Sequence, residues 1–294
     1  MRFRFGTVGI PTSTPAKPGG TIGGLNTLHA LGLDALELGW VRSVNISETA
    51  CENIRAKAAE LNIALSVHAS YFINVNADEE EWIKSRQRLL KAAHYGNLAG
   101  ATDVIFHPGT SFGNDRHRIY PVIIKRLEEC VSTLRSQNNP ILLRPETMGK
   151  QALLGSLEDV LILSASVPGV APCLDVAHLH ARTGNGSLNC VDEWMEILEL
   201  YSNALGGDSL KNLHLHISGI EYSSRGERRH LALEESDLNI RAILEALWKA
   251  GCAGRVLCES PILEKDALLL QKIWETEFLS RGQDTSNPDQ YLSS

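Results

Sequence analysis

The sequence predicts an α/β protein with the (β/α)8 TIM-barrel architecture, and three observations support this prediction. Eight short apolar segments with strand character alternate with longer amphipathic segments. The length of 294 residues suits one barrel of this kind. Residue types that bind metal ions recur where the apolar segments end, and barrel enzymes build their sites at the C-terminal ends of their strands.

The predicted strands are short runs rich in Val, Ile and Leu between polar or glycine-containing stretches. They span residues 4–10, 34–40, 64–69, 102–108, 141–147, 171–177, 210–218 and 254–260. Because strands that alternate with helices are joined by right-handed crossovers, the sheet is expected to be parallel. A doubly wound open sheet is the alternative, but the first strand is not followed by the glycine-rich phosphate-binding fingerprint that would favour it.

The segments between these strands carry apolar residues at intervals of three and four, the period of an amphipathic helix. The clearest examples span residues 47–62, 79–100, 119–137 and 239–251. Several begin with Ser, Asp or Asn and end with Gly, as helices prefer. Since the composition does not shift along the chain, residues 1–280 are predicted to form one domain, followed by a polar tail at residues 281–294.

The composition excludes several classes of protein. With 43% hydrophobic and 21% charged residues, it is ordinary for a soluble globular protein. No apolar run approaches the roughly 18 residues that span a bilayer, and the first residues do not resemble a signal peptide. The six cysteines are scattered, which is typical of free thiols in a reducing compartment. We therefore expect a cytoplasmic monomer without a membrane partner.

Imidazoles and carboxylates stand at the ends of six predicted strands. They are His68, His107, Glu146, Asp175, His178, His216 and Glu259. A single histidine in such a place is more often a hydrogen-bonded core residue, but the whole set favours metal ions, which would compensate the charges. Mixed imidazole and carboxylate ligands suit zinc, manganese or ferrous iron. Their number indicates two or three ions that share bridging carboxylates.

The remaining histidines are interpreted differently. His214 lies two residues before His216 and is expected to be a deeper barrel residue or a partner of the ligands. The others lie in helical or loop positions, where solvated side chains explain them. They are His29, His94, His117 and His180, of which His117 and His180 lie close to the predicted mouth.

Six motifs together resemble endonuclease IV, a family of metal-dependent apurinic/apyrimidinic endonucleases. They read HASYFINV, FHPG, PETMGK, CLDVAH, HISGIEYSSRGERRH and LCESP. Each falls at the expected strand end and in the expected order, and the resemblance covers residues 34–260. It implies a cluster of three zinc ions, with manganese as the other candidate metal.

The resemblance also implies how the ligands are divided. His68 and His107 would bind one ion, and Glu146 would bridge it to a second. The second ion would also take Asp175, His216 and Glu259. Glu146 and Glu259 are in addition the candidates for orienting the attacking water, although ligation alone could also be their role.

The third ion would be held by His178, His230 and an aspartate two residues before His230. Here the sequence departs from the family, because Arg228 occupies that position and Glu227 is the nearest carboxylate. Either the chain bulges so that Glu227 binds the ion, or this site is weaker or built differently.

The substrate implied by the resemblance is damaged double-stranded DNA. Cleavage would occur 5′ to an abasic site, with trimming of blocked 3′ ends as a further activity. Tyr71 matches the position of a wedge at the opened site, and Arg42, Arg228 and Arg229 are expected to contact phosphates. The formal net charge of −7 argues against a nucleic-acid partner, but three zinc ions would offset most of it.

Two other functions remain open on the sequence alone. A sugar isomerase or epimerase of the xylose isomerase-like barrels would also bind a metal ion at this mouth, but it needs fewer ligands. A metal-bound, non-catalytic DNA-binding module is the other alternative, and the complete ligand set argues against it.

Overall fold

The computed structural model describes residues 2–280, so the predicted polar tail at residues 281–294 lies outside the described residues. The strands are β1 (Phe3–Val8), β2 (Ala35–Gly39), β3 (Ala64–His68), β4 (Asp103–Phe106), β5 (Leu142–Pro145), β6 (Leu174–Asp175), β7 (Leu213–Ile217), β8 (Gly219–Ser223), β9 (Gly226–Leu231) and β10 (Gly254–Cys258). The helices are α1 (Gly20–Leu31), α2 (Glu48–Glu60), α3 (Glu79–Ala99), α4 (Arg116–Ser136), α5 (Leu157–Ser166), α6 (Val176–Arg182), α7 (Val191–Leu205), α8 (Ile240–Lys249) and α9 (Glu264–Ile273). Short 3-10 turns occupy Gly207–Lys211 and Leu233–Glu235, and a π-helical turn at Trp274–Leu279 continues α9.

Eight of these strands form one parallel sheet in the order β5-β4-β3-β2-β1-β10-β7-β6. Parallel bridges from Leu143 to Val170 and from Glu146 to Cys173 join β5 to the segment that leads into β6. These bridges close the sheet into a ring. The predicted TIM barrel is therefore confirmed, with each of its strands inside or overlapping a predicted segment.

Two features differ from the predicted elements. The sixth strand is only two residues long, because Asp175 accepts a hydrogen bond from His178 N and thereby caps α6. The antiparallel hairpin β8–β9 lies between β7 and α8, where no strand was predicted. The helix caps follow the sequence signals, since Ser47, Asp78 and Asn239 each cap the helix that they precede.

The interior of the barrel is unusually polar. Residues two apart on a strand face the same side, so one strand contributes to successive layers inside the barrel. Asp103, Arg144 and Arg255 form an ion cluster near the N-terminal ends of the strands, with contacts of 2.5 and 2.9 Å to the carboxylate. Apolar residues on the other face, such as Leu36 and Val104, belong to the buried core that packs against the helices.

None of the helices within residues 2–280 is both long and apolar enough to cross a membrane.

Candidate metal centre

The C-terminal ends of the strands bring the predicted strand-end residues into one cluster. His68 is the last residue of β3, while His107, Glu146 and Glu259 directly follow β4, β5 and β10. Asp175 ends β6 and His216 lies near the end of β7. Because all these strands run in the same direction, their side chains meet at one mouth.

Glu146 lies at the centre of this cluster and is fully buried. Its Oε2 lies 3.1 Å from His68 Nε2 and 3.3 Å from His107 Nε2. Its Oε1 lies 3.3 Å from His178 Nδ1 and 3.5 Å from His216 Nδ1. The two carboxylate oxygens thus face different sets of donors, which is the placement that a bridging ligand needs.

Potential ligand atoms converge in two sets around Glu146. The first set contains His68, His107 and Glu146, and the second contains Glu146, Asp175, His216 and Glu259; within each set the ligand atoms lie within 4.8 Å of one another. Both sets combine imidazole nitrogens with carboxylate oxygens, which suits zinc or manganese.

Hydrogen bonds fix the orientation of three imidazole rings. His68 Nδ1 lies 3.0 Å from the Ala69 carbonyl oxygen, and His178 Nδ1 lies 2.9 Å from that of Thr147. His230 Nδ1 lies 2.6 Å from the hydroxyl of Ser218. Such contacts are typical of metal-binding histidines, because they leave the opposite nitrogen, here Nε2, free to bind.

Several buried polar atoms at the centre form no hydrogen bond within residues 2–280. They include Glu146 Oε1, Asp175 Oδ2 and His216 Nδ1. A buried polar atom without a partner costs roughly 1–3 kcal/mol. All three atoms belong to the two ligand sets, so a divalent cation would satisfy them. The residues therefore fit a metal centre.

The pKa shifts of the buried carboxyl and imidazole groups also indicate that the cluster requires positive charge. Burial disfavours ionisation of Glu146, but the charge of His107 and the nearby rings of His178 and His216 hold its pKa well below the usual range. Burial disfavours protonation of His68, yet its hydrogen bond to Glu146 raises the pKa to about 9. Burial raises the pKa of both Asp175 and Glu259. Protons thus supply the charge balance that cations would otherwise supply.

The hairpin β8–β9 brings Glu227 and His230 to the mouth. The register shifts by one residue between Glu221 and Tyr222, so that Glu221 pairs with Arg229 and Tyr222 pairs with Glu227. Arg228 is the extra residue of this bulge, and a bulge changes which side chains point to which face. The chain therefore has the bulge that one of the two alternatives requires, and binding of an ion by Glu227 stays a prediction.

Glu227 reaches His178 as a result. Its Oε2 lies 3.1 Å from His178 Nε2 and accepts a hydrogen bond of 3.0 Å from Gly149 N. The rings of His178 and His230 are 5.2 Å apart, and His230 Nε2 lies 3.9 Å from Glu259 Oε2. A third set of donors therefore lies beside the first two, although it is more open to solvent.

Glu37 and Cys173 belong to the same interior; the sequence predicts Cys173 only as a small core residue, which its burial supports, and does not single out Glu37. Glu37 is fully buried and contacts the rings of His214 and His216 at 2.9 and 3.1 Å. Cys173, His214 and His216 also form a compact group of potential ligands. Both residues stand inside apolar strand segments, but a charged residue in the run DALELGW indicates that Glu37 has a special role.

The prediction that His214 lies deeper than His216, as a partner of the ligands, agrees with its contact to Glu37. Burial lowers the pKa of His214 to about 4, so its ring is neutral.

One histidine was interpreted wrongly. His180 is fully buried, with Nδ1 2.7 Å from the Ser187 carbonyl oxygen and Nε2 3.2 Å from Asp237. Its place on α6 turns it into the protein, where it ties two loops together. His29, His94 and His117 are exposed, as expected.

The residues predicted to contact DNA lie in different surroundings. Tyr71 is 53% exposed, and its ring lies 5.1 Å from that of His107 at the edge of the mouth. Arg42 is exposed on the loop after β2. Arg228 and Arg229 are exposed on the hairpin, and both form ion pairs with Glu221.

Comparisons with known proteins identify relatives of the chain. A family profile described as a xylose isomerase-like TIM barrel matches residues 25–275. An uncharacterized protein of Methanocaldococcus jannaschii is 36% identical over 271 residues, which cover 92% of this chain and 96% of that protein. Endonuclease 4 of Thermus thermophilus is 28% identical over 207 residues, which cover 68% of this chain and 72% of the relative. These matches confirm the resemblance that the motifs indicated.

Solved structures match nearly the whole fold. The crystal structure of endonuclease IV from Thermus thermophilus superposes with a TM-score of 0.68 at 21% identity, covering 94% of this chain and 99% of that one. A D-tagatose 3-epimerase-like protein superposes with a TM-score of 0.63 at 18% identity, covering 87% and 91% of the two chains. At these identities the likeness shows the fold alone, and the fold is shared by a nuclease and a sugar enzyme.

Proposed function

We propose that this chain, which belongs to the xylose isomerase-like TIM barrel family, is a zinc-dependent endonuclease that cleaves damaged double-stranded DNA 5′ to abasic sites. Trimming of blocked 3′ ends is part of the same proposal. The observation that carries it is the convergence of two donor sets that share Glu146, with His178, Glu227 and His230 beside them at the same mouth.

The proposal assigns each set of residues to one ion. His68, His107 and Glu146 hold the first, and Glu146, Asp175, His216 and Glu259 hold the second. His178, Glu227 and His230 hold the third. Bound close together, such ions supply Lewis acidity for the phosphate and leaving oxygen and lower the pKa of water.

The side chains of the chain itself position the reactants. Glu146 sets the spacing of the first two donor sets, because its two oxygens face opposite sides. The Glu259 side chain is 16% exposed, so its carboxylate can accept a hydrogen bond from water that enters the mouth. Tyr71 can stack beside an opened abasic site, since aromatic rings commonly wedge into distorted duplexes.

A basic groove beside the mouth supports a polyanionic substrate. It has a volume of about 330 Å³ between the loop after β2 and α3, and Arg42, Lys84, Arg88 and Lys91 line it. Glu80 and Glu81 pair with Lys84, and Glu81 also pairs with Arg88. Because Ser70 also lines the groove and precedes Tyr71, whose ring lies beside His107, the groove adjoins the mouth. A duplex with one phosphate at the mouth would carry others to this groove.

The second candidate is a sugar isomerase or epimerase, favoured by the match to the epimerase-like structure. Its substrate would use only the mouth, and it would need fewer metal ligands than the three donor sets provide. The basic groove would then have no role in binding.

A direct assay separates the two functions. The purified protein, loaded with zinc and separately with manganese, is incubated with a duplex that carries one abasic site and, in parallel, with ketohexoses. We expect a single nick 5′ to the abasic site, about three metal ions per chain, and no epimerisation. Epimerisation without nicking, with one ion per chain, would overturn the proposal.

Glu146→Gln is the variant that ties any nicking to the metal centre. An amide cannot bridge as an anion, so nicking should fall by at least about 100-fold, which corresponds to several kcal/mol of transition-state stabilisation. Unchanged far-ultraviolet circular dichroism would show that the variant is folded.

A further inference from the structure

Glu37 lies directly beneath the second donor set, in the interior of the barrel. It is fully buried on β2, and its carboxylate stands between the rings of His214 and His216. We propose that Glu37 is a positioning residue that holds His216 with Nδ1 facing the metal centre and strengthens metal binding there. This inference rests on the proposed metal-binding role of the second set.

The orientation of His216 is opposite to that of the other anchored histidines. Its Nδ1 lies 3.5 Å from both Glu146 Oε1 and Glu259 Oε2, so this is the nitrogen on the side of the centre. Its Nε2 lies 3.1 Å from Glu37 Oε1, on the other side of the ring. In His68, His178 and His230 the anchored nitrogen is Nδ1 instead.

The partner of His216 also differs in charge. The other three rings are anchored by neutral oxygens, namely two backbone carbonyls and one hydroxyl. Glu37 offers a carboxylate. When Nδ1 binds a cation, the ring proton must reside on Nε2, and a carboxylate that accepts this proton in a hydrogen bond raises the basicity of the ligand.

The contact between Glu37 Oε1 and His216 Nε2 is close, but its geometry is not that of a hydrogen bond. Glu37 Oε1 and His216 Nε2 are buried, and neither forms a well-aligned hydrogen bond within residues 2–280. Their separation of 3.1 Å is within the range of a hydrogen bond, so only the angle of the contact is unfavourable. Without that hydrogen bond, the desolvation of each of these two buried polar atoms would remain uncompensated.

Glu37 is itself held in place from the opposite side. The hydroxyl of Ser66 donates to Glu37 Oε2 at 2.7 Å, and His214 Nε2 lies 2.9 Å from the same oxygen. Ser66 is the residue that pairs with Glu37 in the register of β2 and β3. These two contacts occupy Oε2 and leave Oε1 for His216.

Metal affinity tests this role without relying on enzyme activity. Zinc-loaded protein is titrated with a chelator, and the bound zinc is measured by elemental analysis for the wild type and for Glu37→Gln. We expect the variant to lose one ion at a chelator concentration at least about 10-fold lower, since such partners typically change metal affinity by 10- to 100-fold. Cobalt-substituted protein should show a changed visible spectrum in the same variant.

The matched control is Glu264→Gln. Glu264 is also a buried glutamate, but it accepts hydrogen bonds from Thr12 and Ser13, which belong to none of the donor sets. Its substitution should leave zinc retention and the cobalt spectrum unchanged. If Glu37→Gln does not fold, Ser66→Ala provides the test, because it loosens Glu37 while keeping its charge, and it should shift zinc release in the same direction by a smaller factor.

Two results would overturn the inference. One is zinc retention by a folded Glu37→Gln that equals that of the wild type. The other is an equal loss in Glu264→Gln, which would make the effect a general consequence of removing a buried charge. A wild-type protein that binds no zinc would instead contradict the proposed function.

Discussion

Glu227 and Arg228 are neighbours in the chain, yet the bulge in β9 gives their side chains different surroundings. Glu227 contacts His178 and the backbone of Gly149, and its side chain is 16% exposed. The Arg228 side chain is 62% exposed and pairs with Glu221. The one-residue bulge thus turns Glu227, three residues before His230, toward His178 and leaves Arg228 at the surface.

We predict that Glu227→Ala loses about one zinc ion per chain and most nicking activity, because His178 and His230 alone provide too few ligands. Arg228→Ala is the control and should retain the full zinc content, since arginine cannot bind a cation. Elemental analysis of the two purified variants measures the difference. Full zinc content and full activity in Glu227→Ala would show that Glu227 is only a solvated loop charge.

At the residue scale, the sequence could indicate the cluster because its members follow apolar strands of known direction. His68, His107 and Glu146 meet for that reason alone. Glu37 could not be placed in the same way, since it lies within a strand and only the closed barrel reveals which face its side chain takes. His180 was misjudged because a helical position does not tell which side of the helix is buried.

The hairpin β8–β9 and the loop after β5 pack so closely that a glycine is needed between them. A Cβ atom on Gly149 would lie 2.4 Å from Glu227 Oε2 and 2.8 Å from its Cβ. These distances are below any normal contact, so a larger residue must displace the Glu227 side chain.

We therefore predict that Gly149→Ala reproduces the loss of about one zinc ion expected for Glu227→Ala, although Gly149 carries no ligand. Gly207→Ala is the matched control, because a Cβ atom at that position would have no neighbour within 4 Å and the residue is far from the mouth in sequence and fold. Zinc content of the two variants decides the matter. Equal zinc in both would mean that the hairpin shifts without moving Glu227 away.

The ion cluster near the N-terminal ends of the strands joins three strands of the barrel. Burial disfavours ionisation of Asp103, but the charges of Arg144 and Arg255 lower its pKa below the usual range. A carboxyl group with a lowered folded pKa stabilises the protein above its unfolded pKa of about 3.9 and loses this contribution as the pH falls through the folded value.

Asp103→Asn should therefore be destabilised at neutral pH by about 3–5 kcal/mol, because it leaves two buried guanidinium groups without their anion. The difference from the wild type should shrink as the pH falls from about 4 toward the lowered folded pKa of Asp103, because over this range the unfolded wild type binds a proton that the folded protein does not. Urea unfolding at several pH values measures both effects. A constant difference across that range would contradict this account.

At the scale of elements, the alternation of apolar and amphipathic segments was sufficient to predict the eight barrel strands. The sixth strand is shorter than its apolar run, because the cap that Asp175 provides starts α6 early. The hairpin gave no such signal, since GIEYS and GERRHL are short and mostly polar. Its strands are held by contacts with α6 and with each other rather than by a hydrophobic pattern.

The molecule as a whole is a barrel whose interior carries charge from one end to the other. The fold could be predicted because it depends on periodicity, which the sequence displays directly. The substrate could not, because the same barrel serves both a nuclease and an epimerase-like protein. The proposed nuclease function therefore rests on the ligand sets and the charge around the mouth rather than on the fold.

Removal of metal should affect the stability of the entire chain. Ions that bind only the folded state stabilise it, by about 4 kcal/mol for each site at a concentration 1,000-fold above Kd. We predict that chelation abolishes nicking and lowers the melting temperature together, and that added zinc restores both. Differential scanning calorimetry of the two forms measures the shift. An unchanged melting temperature would contradict the location of the ions inside the barrel mouth.

The position of the basic groove predicts how far the substrate extends over the surface. Lys91 lines the groove on α3, and no acidic partner pairs with it among residues 2–280, whereas Lys249 on α8 pairs with Glu245. If a duplex crosses the groove, Lys91→Ala should weaken binding of abasic duplex DNA and reduce the slope of log K against log salt by about 0.9, the contribution of one phosphate.

Lys249→Ala removes a lysine from the C-terminal end of another barrel helix and should leave the slope unchanged. Fluorescence anisotropy across a salt series, with zinc-loaded Glu146→Gln as the background to prevent cleavage, measures both slopes. Identical slopes for the two lysine variants would confine DNA binding to the mouth, because a phosphate that lies in the groove must release its counterion when Lys91 neutralises it.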